Sequence, residues 1–81
     1  MSCNFQNVRV KTQDGIIFSF YKYDSVIMLH VLDGIHCNTV YVNSGSISDL
    51  RYGMYLTFTY QTPLGPKKFT SRLPIDRIDL M

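Results

Sequence analysis

A disulfide framework is missing from this chain. Two cysteines, Cys3 and Cys37, are too few for the bridged scaffold that small secreted domains need, so a reducing, cytoplasmic setting is expected. No apolar run is long enough to span a bilayer. The start Met1-Ser2-Cys3-Asn4 has neither the basic nor the apolar stretch of a secretory signal, and no membrane partner is expected. Charge is scarce as well, at 17% of residues against 46% hydrophobic, which excludes a disordered tail and leaves enough apolar surface for a core. With 81 residues there is room for one domain, 1–81, without repeats, linkers or low-complexity segments.

Glutamate and tryptophan are absent. The acids are all aspartates, and nearly all of them (Asp14 and Asp33 for example) fall in turns, where the side chain bonds its own backbone. No Ser/His/Asp or Cys/His order with an oxyanion site can be assembled, and no glycine-rich phosphate loop is present. The expectation is a protein that is not an enzyme and has no cofactor. Cys3, His30, His36 and Cys37 match no zinc spacing. His36 and Cys37 are adjacent, so on a strand they point to opposite faces, and His30 reads as a hydrogen-bonded strand residue.

What fills the chain is alternation of period two, rich in β-branched and aromatic residues. Asn7 to Thr12 sets Val8 and Val10 against Arg9 and Lys11, and Asp14-Gly15 suits a tight hairpin. Ile16 to Tyr23 places Ile16, Phe18 and Phe20 on one face, with Ser19, Tyr21 and Tyr23 on the other. After an interruption at Asp24-Ser25, Val26 to Leu32 is nearly all apolar and ends at Asp33-Gly34; it reads as a central strand buried on both sides. Asn38 to Asn43 is a further strand, Ser44 to Ser48 is small and polar, and Ser48 to Tyr52 makes at most one helical turn with Ser48 as its N-cap. Met54 to Tyr60 turns Met54, Leu56, Phe58 and Tyr60 inward, and 63–66 is a proline loop. Lys67 to Arg72 and Ile75 to Leu80, parted by Pro74, complete the set. The pattern predicts an all-β domain, a small five- to six-stranded barrel.

The order of these pieces resembles a cold-shock domain, a barrel of the oligonucleotide-binding (OB) fold. Gly15-Ile16-Ile17 through Asp33-Gly34 is similar to that family's opening strand pair, Gly-Ile-Val to Asp-Gly. Val40-Tyr41-Val42-Asn43-Ser44-Gly45-Ser46-Ile47 resembles its Val-Phe-Val-His-Phe-Ser-x-Ile. Leu50 to Phe58 resembles Leu-x-x-Gly-x-x-Val-x-Phe, and Gly65-Pro66 sits where the family often has Gly-Pro before its last strand. Residues 1–14 then form an extra N-terminal strand. The family's binding face is much altered. Its Lys-Trp-Phe triplet falls on Phe18-Ser19-Phe20, its Gly-Phe-Gly-Phe phenylalanines on Val26 and Met28, and its third-strand trio on Tyr41, Asn43 and Ser44. A second register sets Asp14 to Phe18 on the Lys-Gly-Phe-Gly-Phe motif, at the cost of a long insertion before Val40.

The resemblance and a net charge of +2 imply single-stranded DNA or RNA as the partner. Bases stack on exposed aromatic rings for about 1–3 kcal/mol each, whatever their sequence. The residues expected to carry this are Phe18, Phe20, Tyr21, Tyr23 and Tyr41 with Asn43, and Lys22, Lys67, Lys68 and Arg72 for phosphate. Tyr52 and Tyr55 are further platforms. The plainer reading makes the phenylalanines core, the tyrosines ordinary strand residues and Lys67-Lys68 a solvated loop tip. A rival function is a protein–protein module or inhibitor, in which Val8–Thr12 or Ile75–Leu80 adds to the sheet of a partner or of a second copy.

Overall fold

The structure is a computed structural model and describes residues 7–23 and 26–80; Cys3, Phe5 and the Asp24-Ser25 interruption lie outside the described residues. Seven strands follow one another: β1 (Val8–Thr12), β2 (Ile17–Tyr23), β3 (Val26–Asp33), β4 (His36–Asn43), β5 (Thr57–Thr62), β6 (Gly65–Thr70) and β7 (Ile75–Leu80). They form a single antiparallel sheet in the order β6-β5-β4-β3-β2-β1-β7. Each strand lies beside its sequence neighbour except the last, which returns to β1. Gly34 makes the β3–β4 turn possible: its φ of 64° is the left-handed backbone that a two-residue hairpin demands.

The sheet is strongly bent. Two strands separate β2 from β5, which in a flat sheet would set them about 14 Å apart. The rings of Phe20 and Phe58 nevertheless meet edge to face at 6.3 Å, and those of Phe18 and Phe69 lie 5.7 Å apart. The β5–β6 hairpin therefore folds across the concave side and closes the core from above. Val8 and Val10 of β1, Phe18 and Phe20 of β2, and Ile27 and Leu29 of β3 form its floor. Val42, Leu56, Phe58 and Ile75 complete it.

The bend is sharpest where β4 meets β5, whose ladder is one bridge, Val42↔Tyr60. Serines replace the missing ladder. Thr59 N–H donates to Ser46 Oγ at 2.9 Å and Thr57 N–H to Ser48 Oγ at 3.1 Å, while Ser48 N–H donates to Thr57 O. At the other end of this connection Ser71 is buried but satisfied: its Oγ accepts from Leu56 N–H and donates to Leu73 O, both at 2.9 Å.

Several expectations need correction. The domain is all-β, but the sheet is not closed into a barrel, because β6 and β7 are its two ends and do not pair with each other. The gap at the start of β7 is bridged by connecting chain: Gly53 N–H donates to Ile75 O, and Ile75 N–H to Met54 O. Among the described residues the strands number seven, and Gly65-Pro66 belongs to β6, so the turn is only Pro63-Leu64. Pro66 is tolerated since β6 is an edge strand. β3 is central but not buried on both sides; Met28 and His30 are half-buried and Leu32 is exposed. β4 begins at His36 and not Asn38. No helical turn forms over Ser48–Tyr52; the one short helix among the described residues is a 3-10 turn at Ser44–Ser46, capped by Asn43. β5 starts at Thr57, and Met54 is exposed beside it.

Candidate functional site

The convex face of the sheet is set by which residues the core has claimed. Phe18 and Phe20 point inward, so Ser19 and Tyr21 point outward, and the register carries this alternation across neighbouring strands. One outward row runs Tyr21–Met28–Tyr41 over β2, β3 and β4. The next runs Arg9–Ser19–His30–Thr39, and the third Lys11–Ile17–Leu32–Cys37. On β7, Asp79 and Arg77 extend the second and third rows, opposite Arg9 and Lys11.

Contacts within the face hold its centre in place. The Tyr21 and His30 rings meet edge to face at 5.3 Å, and His30 Nδ1 shares a hydrogen bond of 3.1 Å with Thr39 Oγ1. Tyr41 is freer, with 58% of its surface exposed. The result is an aromatic and thioether stripe on β2–β4 next to a basic flank, Arg9, Lys11 and Arg77, on β1 and β7. The acid in that flank, Asp79, accepts from Arg77 Nε at 3.0 Å.

The sequence-derived residues do not all gather here. Phe18 and Phe20 are 1% and 0% exposed, which corrects their assignment to a binding face: no base can reach a ring enclosed in the core. Tyr21 and Tyr41 lie together on the convex face, two strands apart. Tyr23 ends β2 opposite Val26, and its side chain lies outside the described part of the structure. Lys22 shares the inward parity of Phe18 and Phe20 at the end of the sheet, and its N–H donates to Asn7 Oδ1 at 3.3 Å. Asn43 is occupied with capping, its Oδ1 accepting from Gly45 N–H at 3.0 Å.

Lys67 and Lys68 are exposed on β6, on the hairpin that folds over the concave side. They do not rim the tyrosine face. Arg72 lines a cleft of ≈ 390 Å³ that also contains Asp14 and Asp33, a poor setting for phosphate. A second cleft, ≈ 280 Å³, opens where β4 diverges from the β5–β6 hairpin; it is walled by Val40, Phe58, Tyr60 and Phe69 and brings no charged group together. Among the described residues no three His, Cys or Asp side chains converge as metal ligands. Nor is any helix there long and apolar enough to cross a membrane.

Sequence reasoning missed the basic flank and the Met28–His30 centre. The alternation of Val8 and Val10 with Arg9 and Lys11 already turns the cations away from the core. Their position beside Tyr21 and His30 depends on the pairing of β1 with β2, which local pattern does not supply. No family model, no curated protein and no solved structure matches this chain.

Proposed function

We propose that this protein binds single-stranded DNA or RNA with little sequence preference on the convex face of β1–β4, and that it acts by binding and not by catalysis. The observation that carries this is the juxtaposition of the Tyr21–Met28–Tyr41 row with the basic flank of Arg9, Lys11 and Arg77. Stacking on the tyrosines supplies sequence-tolerant affinity, and the cations on the adjoining strands follow the phosphates. The likeness of residues 15–72 to a cold-shock domain supports the same reading, with a curled open sheet standing where that family has an OB barrel. A cytoplasmic site of action fits this partner.

The test is fluorescence anisotropy with labelled oligothymidine and oligouridine at low and moderate salt. Binding at micromolar concentration that weakens with salt, and that Tyr21→Ala and Tyr41→Ala each reduce, is the expected result. No binding at low salt, or binding indifferent to both substitutions, overturns it. The two oligonucleotides separate DNA from RNA preference.

A second reading, a module that pairs with protein through a sheet edge, is favoured by one feature: among the described residues no strand pairs with the outer side of β7, where Leu80 and Tyr52 are exposed.

A further inference from the structure

The two ends of the sheet are chemically unlike. On β6 the Pro63-Leu64 turn closes on Thr62 and Gly65, so by alternation Gly65, Lys67 and Phe69 direct their amides to β5 and residues 66, 68 and 70 direct theirs outward. The first outward position is Pro66, which has no N–H to give, and the neighbouring Lys67-Lys68 sets like charges together in any self-pairing. That edge is guarded.

On β7 the outer ladder carries no further strand among the described residues. Thr12 N–H donates across the β1–β2 hairpin to Ile16 O, so Thr12, Val10 and Val8 turn their amides to β2, and Arg9 and Lys11 turn theirs to β7. Their partners Asp79 and Arg77 are engaged with β1, which leaves the N–H and C=O of Ile78 and Leu80 directed outward. The Tyr52 hydroxyl confirms the direction: it donates to Ile78 O at 3.4 Å from the segment that lies along the outer side of β7. So long a bond is readily replaced by a main-chain one.

We propose that β7 is the seam of a symmetric homodimer, in which two chains pair antiparallel about a two-fold axis at Ile78. The charges select that register. Arg77 and Asp79 flank Ile78, so the two-fold sets Arg77 of each chain opposite Asp79 of the other, twice over. Moving the axis one residue either way places Arg77 on Arg77 or Asp79 on Asp79, a like pair at the centre. At Ile75 the edge is already taken by Gly53 and Met54, and the register of β7 against β1 shifts at Asp76, so the ladder left without a main-chain partner among the described residues is confined to Arg77–Leu80. The apolar surroundings agree. Leu80 is 69% exposed in the single chain and comes to lie diagonally to Ile78 of the second copy. Tyr52 and Met54, both exposed, flank the seam with residue types enriched at interfaces.

Arg77 belongs to both readings, but the seam does not rest on nucleic-acid binding and is tested without oligonucleotide. Sedimentation equilibrium of the full chain from about 1 to 300 μM is expected to show a monomer–dimer equilibrium in roughly the micromolar range, as suits a short seam. Arg77→Glu alone sets Glu against Asp79, and Asp79→Lys alone sets Lys against Arg77. Each is expected to weaken the dimer about tenfold or more. Mixed one to one, the two variants restore both opposite pairs, and the heterodimer forms. Amide exchange of the wild type, with Ile78 and Leu80 protected at high concentration and not at low, reads the same seam without any substitution. A wild type that stays monomeric throughout overturns the proposal. So does a dimer that both single variants leave intact, or one whose concentration-dependent protection falls elsewhere.

Discussion

The two faces of β2 carry similar chemistry and opposite fates. Phe18 and Phe20 lie under the β5–β6 hairpin, against Phe69 and Phe58. One residue out of phase, Ser19 and Tyr21 look onto the convex face, and Tyr21 is steadied by His30 instead of by the core. Composition alone does not separate these aromatics. Their parity does, because the strand pleat assigns alternate residues to opposite sides and the apolar partners on β1 and β3 decide which side is dry. An aromatic can therefore be buried for stability or turned outward, and here one strand does both.

The comparison breaks most plainly at Phe20. Replacing it with alanine removes a ring at the centre of the core and is expected to destabilise the domain by about 3–5 kcal/mol. That is a large part of the roughly 5–15 kcal/mol available to a domain of this kind, so Phe20→Ala should be unfolded or nearly so at ordinary temperature. Urea denaturation followed by circular dichroism checks it. A loss below about 1 kcal/mol would mean that the hairpin does not close over β2 as described.

Tyr41→Ala sharpens the other side. Its ring is mostly exposed, so stability should change by no more than about 0.5 kcal/mol. Affinity for oligothymidine should fall by about 1–3 kcal/mol, the value of one stacked base, or roughly 5- to 150-fold. Measuring the urea midpoint and the anisotropy titration on the same preparation separates the two roles. If stability drops and affinity does not, Tyr41 belongs with the phenylalanines and the convex face is not a platform.

Much of the fold was legible because it is local. Period-two alternation located the strands, and Asp14-Gly15 and Asp33-Gly34 located two of the turns. The region from Ser44 to Leu56 was not, since its serines stand in for a strand: Ser46 and Ser48 meet the Thr59 and Thr57 amides with side-chain oxygens, a role that leaves no hydrophobic period to detect. Closure is not legible in the sequence for a related reason. Whether a seventh strand returns to β1 or completes a ring is decided by non-local pairing, and Pro66 and Lys67 give their signal only once β6 is known to be an edge. The candidate site shows the same limit: the outward parity of Tyr21 and Tyr41 is legible on their own strands, whereas the place of Arg9, Lys11 and Arg77 beside them on one face needs the register.

The smallest expected effect concerns the two basic groups, and it decides which of them meets phosphate. Lys11 lies in the third outward row, which continues to Ile17 and Leu32 and is parted from the aromatic stripe by the row of Arg9, Ser19 and His30; Lys67 and Lys68 sit on the hairpin across the concave side. If the strand of nucleic acid follows the convex face, Lys11→Gln removes one phosphate contact. The slope of log affinity against log salt then falls by about 1, whichever oligonucleotide is used. The double change Lys67→Gln with Lys68→Gln leaves the slope where it was. The reverse outcome, a flatter slope from the hairpin lysines and none from Lys11, would move the phosphate track to β6. It would also separate charge from stacking by the full width of the sheet, and the single-face account of binding would have to be abandoned.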